Sequence, residues 1–128
     1  MRLLVDTHAM LFFWLEPSRL SPVAAKALAD GRNQLLWSVA SSWEVTIKVA
    51  LGKLDLGGPV GEVLPRELAR SGVEVLPILH EHVLGVAALP RHHGDPFDRL
   101  LVATARVEGL TLLTRDPWAA KYGVKALW

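Results

Sequence analysis

Leu3-Leu4-Val5-Asp6 sets three consecutive aliphatic residues directly before an acid. Nothing polar alternates with the aliphatic residues, so the segment reads as a strand buried on both faces, as in a parallel sheet covered by helices. Leu35-Leu36-Trp37, Val73 to Leu76 and Leu110 to Leu113 have the same character, and Val124 to Leu127 is a weaker final strand. Helical stretches separate them. Ser21-Pro22 followed by Val23 to Asp30 and Gly31 supplies a cap, a proline at the first helical position and a glycine stop. Ser41 to Leu51 ends at Gly52, and Pro96 to Glu108 ends at Gly109. Gly57-Gly58-Pro59 reads as a loop, and Pro65 makes Val60 to Ser71 either two short helices or one that starts at Pro65. This alternation predicts an α/β fold: a three-layer α/β/α sandwich with a mostly parallel central sheet, residues 1–128 forming a single domain.

Composition narrows the function. The 128 residues are 51% hydrophobic, which argues against disorder. No apolar run approaches the roughly 18 residues of a membrane span. Ala9 to Leu15 is apolar but short and follows Asp6, not a basic leader, so no secretory signal is expected. The absence of cysteine excludes disulfides, thiol nucleophiles and zinc-thiolate sites, and a cytoplasmic location is the simple expectation. The net charge of +1 permits a nucleic-acid substrate without demanding one.

Four carboxylates are the candidate chemistry. Asp6 and Asp116 follow the first and fourth strands, at the carboxyl edge where open α/β sheets bind ligands. Helices begin at the same edge, so Glu44 and Asp98, each near a helix start, should face it too. Four acids gathered there would repel one another and call for a cation, and an all-oxygen ligand set favours Mg²⁺ or Mn²⁺ over zinc. Simpler readings compete at three of them. Glu44 fits a capping box with Ser41, Asp98 suits the helix dipole behind an Asp95 cap, and Asp116-Pro117 can itself cap a helix. Asp6 ends a hydrophobic strand, where an unpaired charge is costly and a ligand or charge partner is the better account.

These residues lie in four stretches: Leu3-Leu4-Val5-Asp6-Thr7-His8-Ala9, Ser41 to Lys48, Asp95-Pro96-Phe97-Asp98-Arg99-Leu100-Leu101-Val102-Ala103, and Leu113-Thr114-Arg115-Asp116. In that order they closely resemble the motifs of PIN-domain proteins, and among those the VapC-type toxins of toxin–antitoxin pairs. The resemblance spans nearly the whole chain. It implies the α/β/α sandwich and assigns Asp6, Glu44, Asp98 and Asp116 as catalytic, metal-binding acids. It also implies Mg²⁺- or Mn²⁺-dependent endoribonuclease activity on RNA, inhibition by a small cognate antitoxin, and a homodimer. A PIN nuclease of RNA processing or quality control, and a noncatalytic RNA-binding module, are the alternatives. The intact acidic set weighs against the last, since a binder gains nothing from negative charge facing phosphate.

Other residues carry less. Thr114 can hydrogen-bond the acidic site or serve as an ordinary strand residue, and Asp95 reads as a helix cap. His8 can approach the site, His80 and His82 lie near a helix start, and His92-His93 reads as a solvated loop with phosphate contact as the sharper option. Lys48, Lys53, Arg91, Arg99 and Arg115 can line an RNA groove, neutralise the acids or remain solvated. Trp37 and Trp43 are expected in the core, while Trp14 and Trp128 are candidates for an interface.

Overall fold

The computed structural model describes residues 1–128. Leu3, Leu4 and Val5 are wholly buried, and their strand, β1 (Arg2–Val5), is the middle strand of the sheet. To one side lie β2 (Gln34–Ser38) and the edge strand β3 (Glu74–Leu76); to the other lie β4 (Thr111–Leu113) and the edge strand β5 (Ala126–Leu127). The order is β3-β2-β1-β4-β5, and every pairing is parallel. Leu4 pairs with Leu36 on one flank and Leu112 on the other, which aligns the three strand ends.

The pleat divides the core in two. Leu3, Val5, Leu35, Trp37 and Leu113 point to one face, where α1 (Thr7–Leu15), α2 (Pro22–Ala29), α3 (Val39–Ala50) and α4 (Val60–Arg70) contribute Met10, Leu28, Val45 and Leu64. Leu4, Leu36 and Leu112 point to the other, covered by Leu101, Val102 and Ala105 of α6 (Pro96–Glu108) and by Tyr122 after the short α7 (Trp118–Lys121). The remaining helix, α5 (His80–Ala87), packs on α6. His82 is buried between them: Nδ1 accepts the Leu79 N–H at 3.1 Å, so Nε2–H donates to Glu108 Oε1 at 2.7 Å. Both ring nitrogens are thereby satisfied, and the histidine serves as a tie between helices.

Three expectations need correction. Helix α3 begins at Val39, not Ser41, because the Ser38 hydroxyl takes the capping role by accepting the Ala40 N–H at 3.0 Å. Pro65 lies inside α4, which starts at Val60. The backbone bond it forgoes would have gone to the carbonyl of Gly61, and both residues are on the exposed side, where that carbonyl is open to solvent. Trp43 is 60% exposed and meets the ring of Phe97 edge-on at 5.3 Å, whereas Trp37 is buried as expected. Trp14 and Trp128 are half-buried against the core of their own chain. No helix is long and apolar enough to cross a membrane.

Candidate active site

The end of β1 delivers the first acid. The Asp6 N–H donates to Leu113 O at 3.0 Å, which carries the β1–β4 ladder one residue further and sets Asp6 beside Thr114. Asp6 Oδ2 accepts the Thr114 hydroxyl at 3.0 Å. Its other oxygen, Oδ1, is buried and has no hydrogen-bond partner, with His8 Nδ1 4.0 Å away. Burial pushes this carboxyl above its ordinary range and Glu44 adds to the push, while His8 and the Thr114 hydroxyl pull the other way.

Glu44 enters from α3 and is 5% exposed. The shifted helix start removes the capping-box reading, because Ser41 is spent elsewhere: its Oγ accepts the buried Thr7 hydroxyl at 2.7 Å, tying α1 to α3. Glu44 Oε2 instead faces Lys48 Nζ, one helical turn on, at 3.3 Å. Lys48 Nζ also lies 2.8 Å from His8 Nε2. An ammonium can only donate, so Nε2 accepts and the His8 hydrogen resides on Nδ1, directed at Asp6. Lys48 therefore offsets charge on the Glu44 side, one of the three roles open to it.

Asp98 and Asp116 complete the group. Asp95 caps α6 as expected, its Oδ1 accepting from Phe97 N at 2.9 Å and Asp98 N at 3.1 Å, which fixes Asp98 in the first turn. Burial, and then the charges of Asp95, Asp6, Asp116 and Glu44, push the Asp98 carboxyl up to about 8. That the other three acids of the set all act on it, beside the neighbouring cap Asp95, is the electrostatic signature of convergence. Pro117, not Asp116, is the cap residue of α7; Asp116 Oδ1 accepts the Trp118 N–H at 2.9 Å in a turn just ahead of the helix, and its own N–H donates to Thr114 Oγ1 at 3.1 Å. Asp116 Oδ2 stays available to the site. Asp6, His8, Asp98, Arg115, Asp116 and Pro117 line an open cleft of about 290 Å³.

Two placements went beyond the sequence reading. His93 is not solvated: it sits against the site, its Nε2 3.5 Å from Asp98 Oδ2 and 3.8 Å from Asp116 Oδ2. Arg99 neither lines the cleft nor neutralises the acids. It turns back to clasp the preceding loop, donating to Pro90 O at 3.0 Å, His93 O at 3.4 Å and Tyr122 Oη at 3.1 Å. No local pattern signals either contact, because Tyr122 is 23 residues from Arg99.

Known proteins share this fold. The family model described as PIN domain matches residues 3–125. The chain belongs to the PIN-domain family. Over 114 residues, 88% of this chain and 85% of the relative, it is 32% identical to Ribonuclease VapC22 of Mycobacterium tuberculosis. Its fold is similar to a chain of VapBC2 from Rickettsia felis, solved bound to a DNA fragment from their promoter, with a TM-score of 0.71 at 13% identity over 98% of this chain and 97% of that one. A toxin-antitoxin complex from Klebsiella pneumoniae matches with a TM-score of 0.55 at 19% identity, over 89% and 86% of the two chains. The membership expected from the four motifs holds, and the α/β/α sandwich is the PIN-domain fold.

This PIN-domain site fits a divalent cation. Asp6 Oδ1 is a buried, unpartnered oxygen, two of the four acids hold their protons unusually tightly, and the donors are hard oxygens. The same repulsion has a consequence for stability. Asp98 keeps its proton in the folded chain up to about 8 but releases it near 3.8 when unfolded. Between these values the folded state holds the extra proton, so stability falls as pH rises, by at most about 1.4 kcal/mol per pH unit for one such group. Urea unfolding of metal-free protein is therefore expected to give a higher midpoint at about pH 5.5 than at about pH 7.5. A midpoint that rises across this window contradicts the proposed crowding.

Proposed function

We propose that this chain is a divalent-metal-dependent endoribonuclease, using Mg²⁺ or Mn²⁺ held by Asp6, Glu44, Asp98 and Asp116, and that it is the toxin of a toxin–antitoxin pair. The observation that carries the proposal is the meeting of four acids at one sheet edge, where Asp98 is raised to about 8 by burial and by the charges of Asp95 and of the other three. The relation to a protein named as a ribonuclease supports RNA as the substrate.

A divalent cation bound there would neutralise the acids, bind the scissile phosphate and supply a water of lowered pKa for in-line attack. The chain's own groups prepare for this. Thr114 pins one Asp6 oxygen and leaves the other free, so that Asp6 presents a single fixed ligand atom. Lys48 and His8 stand beside Glu44 and Asp6 and limit the repulsion in the metal-free chain. Arg115 lines the cleft and places a cation beside the acids, suited to a substrate phosphate.

Protein partners belong to the same reading: a small cognate antitoxin and a second copy of this chain, within one domain of residues 1–128 working in the cytoplasm. An apolar groove of about 490 Å³ along α4 and β3, lined by Val60, Leu64, Leu68, Val73 and Val75, supports a protein partner. The fold likeness to a toxin-antitoxin complex favours the antitoxin.

The test is direct. Purified chain incubated with structured and unstructured RNA is expected to cleave internally with Mg²⁺ or Mn²⁺ and to stop when chelator is added. Cleavage that chelator leaves undiminished, or no cleavage of any RNA in either metal, counts against the proposal.

A further inference from the structure

His93 lies in the loop before α6 and is held on several sides. Its Nδ1 stands 2.7 Å from Tyr122 Oη, and its backbone N–H donates to the same oxygen at 3.3 Å. Arg99 Nη1 donates to that oxygen too, at 3.1 Å. The imidazole stacks on Trp118, with centroids 5.6 Å and planes 11° apart. Its Nε2 is buried without a hydrogen-bond partner, 3.5 Å from Asp98 Oδ2 and 3.8 Å from Asp116 Oδ2.

Counting hydrogens fixes how the ring is presented. A tyrosine hydroxyl has one proton and two lone pairs. The His93 N–H and the Arg99 guanidinium take both lone pairs of Tyr122 Oη, so its proton goes to His93 Nδ1. Nδ1 is then the acceptor, and the neutral ring carries its hydrogen on Nε2, facing the two carboxylates. A metal ion on Nε2 would require the opposite tautomer, and Nδ1–H would bring Tyr122 a third donor with no lone pair left to receive it.

We infer that His93 is a positioning residue: the Tyr122 hydroxyl presents its Nε2–H to Asp98 and Asp116, and that donor holds the two carboxylates in the orientation that receives the cation. The inference rests on the metal-binding reading of the acids. The present gaps of 3.5 and 3.8 Å are a little beyond hydrogen-bond length, and small rotations of either carboxylate close them. A partner of this kind stiffens ligands it does not replace, and losing one typically weakens metal binding about 10- to 100-fold.

Two measurements decide the matter. Nitrogen NMR of the unaltered, metal-free protein, at a pH where the ring is neutral, is expected to show the Nε2–H tautomer; the Nδ1–H tautomer overturns the inference. Calorimetric titration with Mn²⁺ is expected to show His93→Ala binding about tenfold or more weakly. His93→Gln, whose amide N–H can stand where Nε2–H stood, is expected to recover most of that loss, and Tyr122→Phe to fall between. His93→Ala binding as tightly as the unaltered chain overturns the inference, as does His93→Gln no better than His93→Ala. Tyr122→Phe binding Mn²⁺ more tightly than the unaltered chain makes His93 a ligand and overturns it too. An unaltered chain that binds no Mn²⁺ removes the metal reading itself and the inference with it, a failure seen without any variant.

Discussion

Asp6→Asn is expected to lower metal-dependent RNA cleavage by about 10³-fold, roughly 4 kcal/mol of transition-state stabilisation. Asp6 contributes the one buried carboxylate oxygen that nothing in the protein satisfies. An amide there still reaches Thr114 with its carbonyl oxygen, but its remaining N–H group repels a cation where Oδ1 would attract one. The same substitution is expected to make the metal-free protein more stable, by about 1 kcal/mol or more, because it removes a buried charge that presses on Asp98. Activity and apo-stability thus move in opposite directions. Cleavage rates and urea midpoints on one preparation check both, and an Asp6→Asn protein that cuts RNA at the unaltered rate removes Asp6 from the chemistry.

Divalent metal should stabilise the unaltered chain strongly. At about a hundredfold excess of free Mn²⁺ over its Kd, linkage gives about 2.7 kcal/mol. For a domain of this size that corresponds to a rise of roughly 10 °C in Tm. Binding also discharges the proton that Asp98 holds, so the pH dependence of stability should flatten when metal is present. Thermal unfolding with Mn²⁺, and again with excess chelator, reads the shift and its reversal. Asp98→Asn should lose most of it, and an undiminished shift in that variant would place the bound metal elsewhere.

The sheet was legible because β1, β2 and β4 carry continuous apolar runs, and full burial on two faces leaves only that pattern. Helix α6 was equally plain, with Asp95, Pro96 and Gly109 marking its ends; Gly109 takes a φ of 65°, which favours glycine. Helix α1 was harder to see. Thr7–Leu15 is apolar almost throughout and so shows no polar face from which to read a period. The start of α3 is ambiguous by sequence because Ser38, Ser41 and Ser42 all suit a cap; in the fold Ser41 accepts from Thr7 and Ser42 from the Trp37 indole N–H, which leaves Ser38 to cap.

For the site, topology brought the four acids to one edge on paper, and the burial of Asp6 followed from its place after β1. The electrostatics did not follow. Which oxygens are already engaged depends on contacts such as Thr114 with Asp6 and Trp118 with Asp116. Lys48 stands one helical turn from Glu44, a spacing readable in the sequence, whereas His93 meets the acids through the fold alone. A histidine between His92 and Gly94 carries every mark of a solvated loop until Tyr122 and Trp118 arrive from the far end of the chain.

The claim that these four carboxylates form one metal centre is tested most directly by the anomalous scattering of crystals grown with Mn²⁺. A peak at Asp6 Oδ1 is expected, with Asp98 among its ligands and Glu44 and Asp116 bound to it directly or through water. A fully occupied Mn²⁺ bound away from Asp6, or no Mn²⁺ at saturating concentration, would contradict it.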